Sequence, residues 1–352
     1  MNISINDCGY AQPLVSICIP VYNAEKTVAS TLQSIIGQTY QNLEILVVDN
    51  ASTDGTLKII KEFEDPRIKI YRNDLNIGCE ANWNRCIDLA AGEYIAIFHA
   101  DDLYMPNIVE KQVLAFLENK DIGAVFALAT YINVRGQPRG EYRIPLCLKR
   151  KQIYHFQEIF IATLKYINIF FTPSCMVKGQ IYKEMRAFDY KRFSTAADLD
   201  MWLRISEKTP VAILHEKLMS YRLSQQQVHY PYNLSHTEEV AFFKVMDYWL
   251  LYRCINLEIP PGALSSYEFM RDIDKITRSI NYLIKGDDRA AKYLLKEIAT
   301  VAAFRRALQS VSRPILVFYW LFGILLLGSG PLSGYLAKNA RKFMRKFDSR
   351  YK

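Results

Sequence analysis

The feature that most restricts this chain is an alternation of two periods over its first 130 residues. Short apolar runs (Val15-Ser16-Ile17-Cys18-Ile19, Glu44-Ile45-Leu46-Val47-Val48 and Tyr94-Ile95-Ala96-Ile97-Phe98) are separated by stretches with helical spacing. Between Glu25 and Ile36, the residues Val28, Leu32, Ile35 and Ile36 share one helical face, and Gly37 follows as a stop. The same reading predicts helices over 54–63 and 79–90, a strand over 68–71, a helix opened by Pro106 and a further strand over 123–128. Pro20 is expected to end the first strand. Apolar strands alternating with helices imply an α/β fold whose mostly parallel sheet is covered on both faces. Ligands of such sheets bind beyond the carboxyl ends of the strands.

At 352 residues and 50% hydrophobic content the chain can bury a sizeable core and is expected to hold about two domains. Charged residues at 23%, with no low-complexity tract, exclude a disordered chain. The seven cysteines (8, 18, 79, 86, 147, 175 and 254) are odd in number and contain no Cys-x-x-Cys pair, which argues against a disulfide framework or a structural zinc site. Residues 1–12 lack the basic start and apolar run of a signal peptide, so a cytosolic catalytic part is expected. Helical patterns dominate from about 235 onward, over 236–256, 265–284 and 288–313. The expected division is 1–230 as the α/β domain, 231–313 as a helical region, and 314–352 as an apolar segment with a basic tail.

Polar motifs follow the strands. Pro20-Val21-Tyr22-Asn23 comes after the first, and Asp49-Asn50-Ala51-Ser52-Thr53-Asp54-Gly55 after the second. A carboxylate at a strand end can accept a hydrogen bond from a base N–H or a ribose hydroxyl. Ser52 and Asp54 can equally cap the next helix, whereas no capping need explains Asp49. Phe98-His99-Ala100-Asp101-Asp102 follows another central strand. Adjacent carboxylates repel unless a cation or donor compensates, and a hard divalent ion bridged to diphosphate suits them; turn and cap chemistry is the alternative. Asp198-Leu199-Asp200-Met201-Trp202-Leu203-Arg204 puts acids at a helix start, where they also complement the helix dipole.

Taken together, these motifs resemble the family 2 glycosyltransferases of GT-A fold over about residues 13–224. Pro20, Tyr22 and Asn23 match that family's opening segment, and Asp49 its base-holding aspartate. Asn76, Gly78 and Asn84 match its Asn-x-Gly and later Asn, and Gly92-Glu93-Tyr94-Ile95 the approach to its metal motif. Asp101 matches the last acid of Asp-x-Asp, Asp198 the catalytic base, and Tyr221-Arg222 the short closing motif. The resemblance implies that Asp101, with Asp102 beside it, contacts donor diphosphate and a Mn²⁺ or Mg²⁺ ion, and that the donor is a nucleotide sugar, a UDP-sugar by expectation. Three positions depart from the pattern: His99 replaces the first acid of Asp-x-Asp, Asn50 a second Asp, and Ala197 a Glu beside the base. His99 is retained as a candidate metal ligand, although oxygen ligands suit Mn²⁺ better. A single base fits direct, inverting displacement; retention by double displacement requires a second, nucleophilic carboxylate, and the helical spacing of Asp200 from Asp198 points it elsewhere.

Pro314 to Ala337 carries no charge, and Ile315–Leu327 is apolar on every face. Thirteen apolar residues fall short of the ~20 that a span needs. Arg305, Arg306 and Arg313 precede the run, and seven Lys or Arg against Asp348 follow between Lys338 and Lys352. A helix lying on, or a hairpin dipping into, the cytosolic leaflet keeps both basic flanks on one side; a buried core helix is the alternative. The expectation is a peripheral or monotopic enzyme at the cytoplasmic face of the inner membrane, with a glycan or lipid-linked glycan as acceptor. Nucleic acid is not expected, because the basic cluster lacks interleaved stacking aromatics. The competing readings are a sugar nucleotidyltransferase, which needs a Gly-rich loop that Tyr22-Asn23-Ala24-Glu25 does not supply, and an inactive partner in a polysaccharide assembly complex.

Overall fold

A computed structural model describes residues 12–167, 169–223, 236–253, 257–309, 321–326 and 332–339. The chain divides into two compact units: residues up to 159 together with 169–225, and residues 160–168 together with everything from 226 onward.

The first unit opens with β1 (Val15–Val21), α1 (Val28–Ile36), β2 (Leu43–Asp49), α2 (Thr56–Lys61), β3 (Ile68–Arg72), α3 (Cys79–Leu89) and β4 (Tyr94–Ile97). It continues with β5 (Leu103–Tyr104), α4 (Ile108–Glu118), β6 (Ala124–Ile132), β7 (Pro138–Glu141), β8 (Ile153–Tyr154) and the start of α5 (Phe156–Tyr166). It closes with β9 (Met176–Lys178), α6 (Gly179–Met185), α7 (Tyr190–Phe193), α8 (Ala197–Lys208) and β10 (Val211–Arg222). The strands form one sheet in the order β3-β2-β1-β4-β9-β6-β10-β5, with β7 on β6 and β8 on β10. β1, β2, β3 and β4 pair in parallel, in register from Val21↔Asp49 back to Val15↔Leu43. Every residue of β2 and of β4 is buried, as expected for strands covered on both faces.

The α/β class stands, and within the sheet the three-residue β9 runs antiparallel between β4 and β6, a strand too short to carry a legible period. One expectation is corrected: β1 continues through Pro20 to Val21. The β4 ladder ends at Cys18↔Ile97, so Pro20 has a neighbour on one side only and its missing N–H is tolerated. At Gly92 a Cβ would lie 2.6 Å from the Ser16 amide nitrogen, so the approach to β4 needs glycine.

The second unit is helical: α9 (Ala241–Tyr252), α10 (Pro261–Lys285), α11 (Asp288–Ile298) and α12 (Val301–Gln309). The single helix expected over 288–313 is two, because the helical conformation is lost at Ala299 and the Thr300 hydroxyl caps α12 by accepting from the Ala303 amide at 3.1 Å. Of the apolar segment, 321–326 and 333–339 are helical. Leu326 and Ala337 are buried with Ile276, Ile280 and Leu283 of α10, while Leu321, Leu325, Leu332 and Tyr335 are exposed. The boundary near 230, residues 310–320 and 327–331, and most of the basic tail lie outside the described residues. Among the described residues, no helix is long and apolar enough to cross a membrane.

Candidate active site

In the order β3-β2-β1-β4, the chain leaves β1 on one side and later returns on the other. That reversal opens a crevice beyond the carboxyl ends of β1 and β4. Of the expected site residues, Tyr22 and Asn23 follow β1, with Pro20 inside it, and His99, Asp101 and Asp102 follow β4; Asp49 ends β2, Asn76 and Asn84 lie before and within α3, and Asp198 lies in the first turn of α8.

The loops after β1 and β2 are laced together. The Asn23 amide donates to the Ser52 hydroxyl at 3.0 Å, the Ala24 amide to Thr56 Oγ1 at 2.7 Å, and the Thr53 amide to Asn23 Oδ1 at 2.9 Å. Asn23 and Ala51 both adopt left-handed backbone conformations, φ 49° and 60°. Ser52 therefore serves the neighbouring loop and does not cap α2. Asp54 accepts from the Thr56 amide at 3.0 Å and from the Glu25 amide at 3.2 Å. Tyr22 is left exposed at the rim. Asp49 is fully buried; its Oδ1 accepts from the Ser52 amide at 3.2 Å, and its Oδ2 faces Arg72 Nε at 3.2 Å.

Beside Asp49 lies an amide network that sequence reasoning missed. Asn73 Nδ2 donates to Asn50 Oδ1 at 2.8 Å and to Asn82 Oδ1 at 3.0 Å, and Asn82 Nδ2 donates to the Val48 carbonyl at 2.9 Å. Asn50 Nδ2 in turn donates to Asn76 Oδ1 at 2.9 Å, which also accepts from the Gly78 amide at 2.9 Å. Asn50 thus ties the 76–78 turn to the end of β2. The only sequence signal was the recurrence of Asn at 50, 73, 76 and 82. Asn84 clamps a different segment: it accepts from the Phe188 amide at 2.8 Å and donates to the Phe188 carbonyl at 3.3 Å.

The turn after β4 gathers His99, Asp101 and Asp102, which offer ligand atoms all within 4.8 Å of one another. The His99 ring stacks on Trp83 of α3, centroids 5.5 Å apart, and its amide donates to the Tyr104 hydroxyl at 2.7 Å. Asp102 is fully buried; its Oδ1 accepts from the Arg222 amide at 2.8 Å, and among the described residues Oδ2 has no hydrogen-bond partner. Burial, and then the neighbouring Asp101, push Asp102 well above the usual carboxylate range. A divalent cation would compensate this unmet charge, so the donor set of one imidazole and two carboxylates fits such an ion.

Asp198 sits in the first turn of α8, its Oδ1 accepting from the Leu199 amide at 2.7 Å. Its Oδ2 accepts from the Thr172 hydroxyl at 2.7 Å, and Thr172 Oγ1 accepts from the indole N–H of Trp202 at 3.2 Å. Thr172 was not anticipated: it lies 26 residues from Asp198, in a short turn with no periodic signal. Asp200 is buried and pairs with Arg204 at 2.8 Å, so the two acids of the first turn of α8 have different partners. The phenol of Tyr221 is pushed up by burial and then by Asp102, Asp101, Tyr131 and Asp198. Asp101, Asp102 and Asp198 thus all act electrostatically on one phenol.

Residues 16–184 match the model of glycosyl transferase family 2. An uncharacterized glycosyltransferase of Methanocaldococcus jannaschii is 31% identical over 245 residues, covering 68% of this chain and 80% of that protein. The chain belongs to glycosyl transferase family 2. It is a glycosyltransferase, and its first unit has the GT-A architecture that the sequence resemblance implied. A shorter match joins this family 2 enzyme to the Escherichia coli UDP-Glc:alpha-D-GlcNAc-diphosphoundecaprenol beta-1,3-glucosyltransferase WfgD, 40% identical over 106 residues, 30% of this chain and 42% of that one. In fold it is similar to a mannosyltransferase from Pyrobaculum calidifontis solved with GDP-Man and Mn²⁺, at TM-score 0.55 and 16% identity, covering 91% of this chain and 88% of that one.

Proposed function

We propose that this glycosyltransferase moves a sugar from a UDP-sugar to an acceptor hydroxyl with inversion, using Asp198 as general base and a divalent metal at Asp101. The observation that carries the reading is the clustering of His99, Asp101 and Asp102 after β4, supported by the electrostatic action of Asp101, Asp102 and Asp198 on the one Tyr221 phenol. Asp101, Asp102 and His99 would hold Mn²⁺ or Mg²⁺, which when bound neutralises charge developing on the departing diphosphate. Asp198 takes the proton from the acceptor hydroxyl. The Thr172 hydroxyl and Leu199 amide hold its carboxylate in one orientation. Asp200, the neighbouring acid of α8, is engaged by Arg204 and so is not offered as a nucleophile, which favours single displacement.

The base preference follows from Asp49 and Arg72. Uracil presents one N–H donor flanked by two carbonyl acceptors, whereas guanine presents two adjacent donors. A carboxylate with a guanidinium at its side offers an acceptor next to donors, the complement of uracil. Pro20, Tyr22, Asn23 and Asn76 are assigned to the nucleoside side of the donor. Asn84 is assigned to shaping the pocket through Phe188.

Transfer is assigned to residues 1–230. Residues 231–313 form the helical region, and 314–352 are assigned to holding the enzyme at the cytosolic face of the inner membrane, where a lipid-linked glycan of a cell-surface polysaccharide would be the acceptor. The exposed Val301, Phe304, Leu321, Leu325, Leu332 and Tyr335, together with the basic residues of the tail, support that assignment. The WfgD relative, by its name, acts on such a lipid-linked diphosphate acceptor.

The test is calorimetry of UDP and GDP with and without Mn²⁺ on wild type and Asp101→Ala, followed by transfer assays across UDP-sugars with the product anomer read by NMR. Tighter binding of UDP than GDP, metal-enhanced in wild type and not in Asp101→Ala, supports the reading. Equal metal enhancement in the variant, or a retained anomeric configuration, refutes it. Flotation of the full chain with anionic vesicles tests the membrane assignment, and a chain that stays at the bottom of the gradient removes it.

A further inference from the structure

Arg222 ends β10 and is 6% exposed. Its backbone amide donates to Asp102 Oδ1 at 2.8 Å, and its Nε donates to the Asp101 carbonyl at 2.6 Å. On the other side of the guanidinium, Nη1 donates to the carbonyls of Asn133 and Val134 at 3.1 and 3.2 Å, in the turn between β6 and β7. One side chain therefore joins two turns that are about ninety to one hundred and twenty residues away in sequence. The pairing of Leu103 and Tyr104 of β5 with Ser220 and Met219 of β10 brings the two segments together.

A buried guanidinium gripping backbone carbonyls carries a desolvation cost that geometry must repay. Here the carbonyl it grips belongs to Asp101, whose side chain points into the proposed metal turn. We propose that Arg222 is a positioning residue that sets the backbone of the Asp101–Asp102 turn, so that its carboxylates are preorganised for the divalent cation. The inference rests on the metal-dependent reading above. Arg222 touches neither metal nor donor in this role. The planar fork fits it: Nε and Nη1 point in different directions and hold both turns at once, while a lysine ammonium has one point of contact. Outer partners that orient metal ligands typically matter by 10–100-fold in metal affinity.

The test is Arg222→Lys in the full chain, which keeps the charge and the aliphatic stem. Mn²⁺ affinity of the protein–UDP complex is read by EPR of free Mn²⁺, UDP affinity in EDTA by calorimetry, and folding by thermal melting. The expected result is an Mn²⁺ dissociation constant raised roughly 10-fold or more, with UDP affinity in EDTA unchanged. An unchanged Mn²⁺ constant in the folded variant overturns the proposal, and so does a loss of UDP affinity in EDTA as large as the loss with Mn²⁺, which would signal general damage. If Arg222→Lys does not fold, shortening the 133–137 turn removes the two outer carbonyls and leaves the Asp101 contact. The same metal-specific weakening is then expected, and its absence overturns the proposal. Wild-type protein that binds UDP with no Mn²⁺ dependence would instead refute the metal reading itself, and the inference with it.

Discussion

The two units bury different things. The first fills its sheet with Val15, Ile17, Ile19, Ile45 and Val47 and places two of its buried acids, Asp49 and Asp102, at or beyond strand ends. The second buries Asp272, Asp274, Thr277, Ser279 and Asn281 on the same helix as Ile273, Ile276, Ile280 and Leu283. Each buried acid of α10 has a cation, Arg306 on Asp272 at 2.7 Å and Arg278 on Asp274 at 2.7 Å, and the His236 ring lies 3.3 Å from Asp274. A strand covered on both faces has little room for charge, so polar groups move to its ends, where ligands bind. A long helix has a wider circumference than its apolar stripe, and its buried polar positions must find partners inside the unit. The lesson is that polar residues of the first unit should matter more to function than to stability, and those of the second the reverse.

The largest effect should come from Asp198. Asp198→Asn is expected to keep donor affinity and melting temperature while turnover falls by ~10² or more, the scale of general-base catalysis. Transfer at near wild-type rate would place the base elsewhere. Asp49→Ala comes next, weakening donor binding by about 1.5–3 kcal/mol, as for a charge-assisted hydrogen bond. Calorimetry on the folded variant checks it, and unchanged UDP affinity breaks the assignment of Asp49 to the base.

The second unit should respond in the opposite sense. Arg306→Ala is expected to cost about 2 kcal/mol of stability by leaving Asp272 buried without its partner, with UDP affinity unchanged. Burial already raises Asp272, against the pull of Arg306. A raised acid favours the folded state when protonated and loses that contribution as pH rises through its folded value. The destabilisation should therefore shrink as pH falls, and denaturant titrations at several pH values read this directly. The paired change Asp272→Leu with Arg306→Met should recover most of the loss. A loss of UDP affinity in Arg306→Ala would break the comparison.

Glu44 is the exception that sharpens it, a charge of the first unit that works for structure. It is buried in β2, and its carboxylate takes the Ser16 hydroxyl at 2.5 Å, the Ala91 amide at 2.8 Å and Lys69 at 2.9 Å. Burial opposes its ionisation, yet Ser16, Lys69 and Ala91 outweigh burial and lower it below the ordinary 4.5. Its contribution is complete above that ordinary value and is lost as pH falls through the lower folded one. Glu44→Gln should cost about 1 kcal/mol at neutral pH and flatten the acid limb of the stability curve. An acid limb of wild-type steepness in this variant would show that other carboxylates, such as Asp54 and Asp65, govern it.

Much of this was legible in one dimension, because it depends on period and on strand ends. The apolar cores of β1 and β2, the helical face of Val28, Leu32 and Ile35, and the acids Asp49 and Asp101 at or beyond strand ends all follow from local pattern. Where local pattern was weak, reading stopped: β9 is too short to show a period, and the break at Ala299 depends on one hydroxyl cap.

By itself, then, the sequence determined the alternating α/β class of the first unit, the helical character of the second and the strand ends that carry the polar motifs, since backbone geometry imposes those periods wherever apolar residues recur. Only the tertiary structure decided which polar groups meet. Thr172 reaches Asp198, Arg222 grips the Asp101 carbonyl, Asn73 bridges Asn50 and Asn82, and Arg72 stands at Asp49. Most of these pairings span turns, strands or whole helices, and a hydrogen bond is set by a few ångströms in space, not by spacing along the chain.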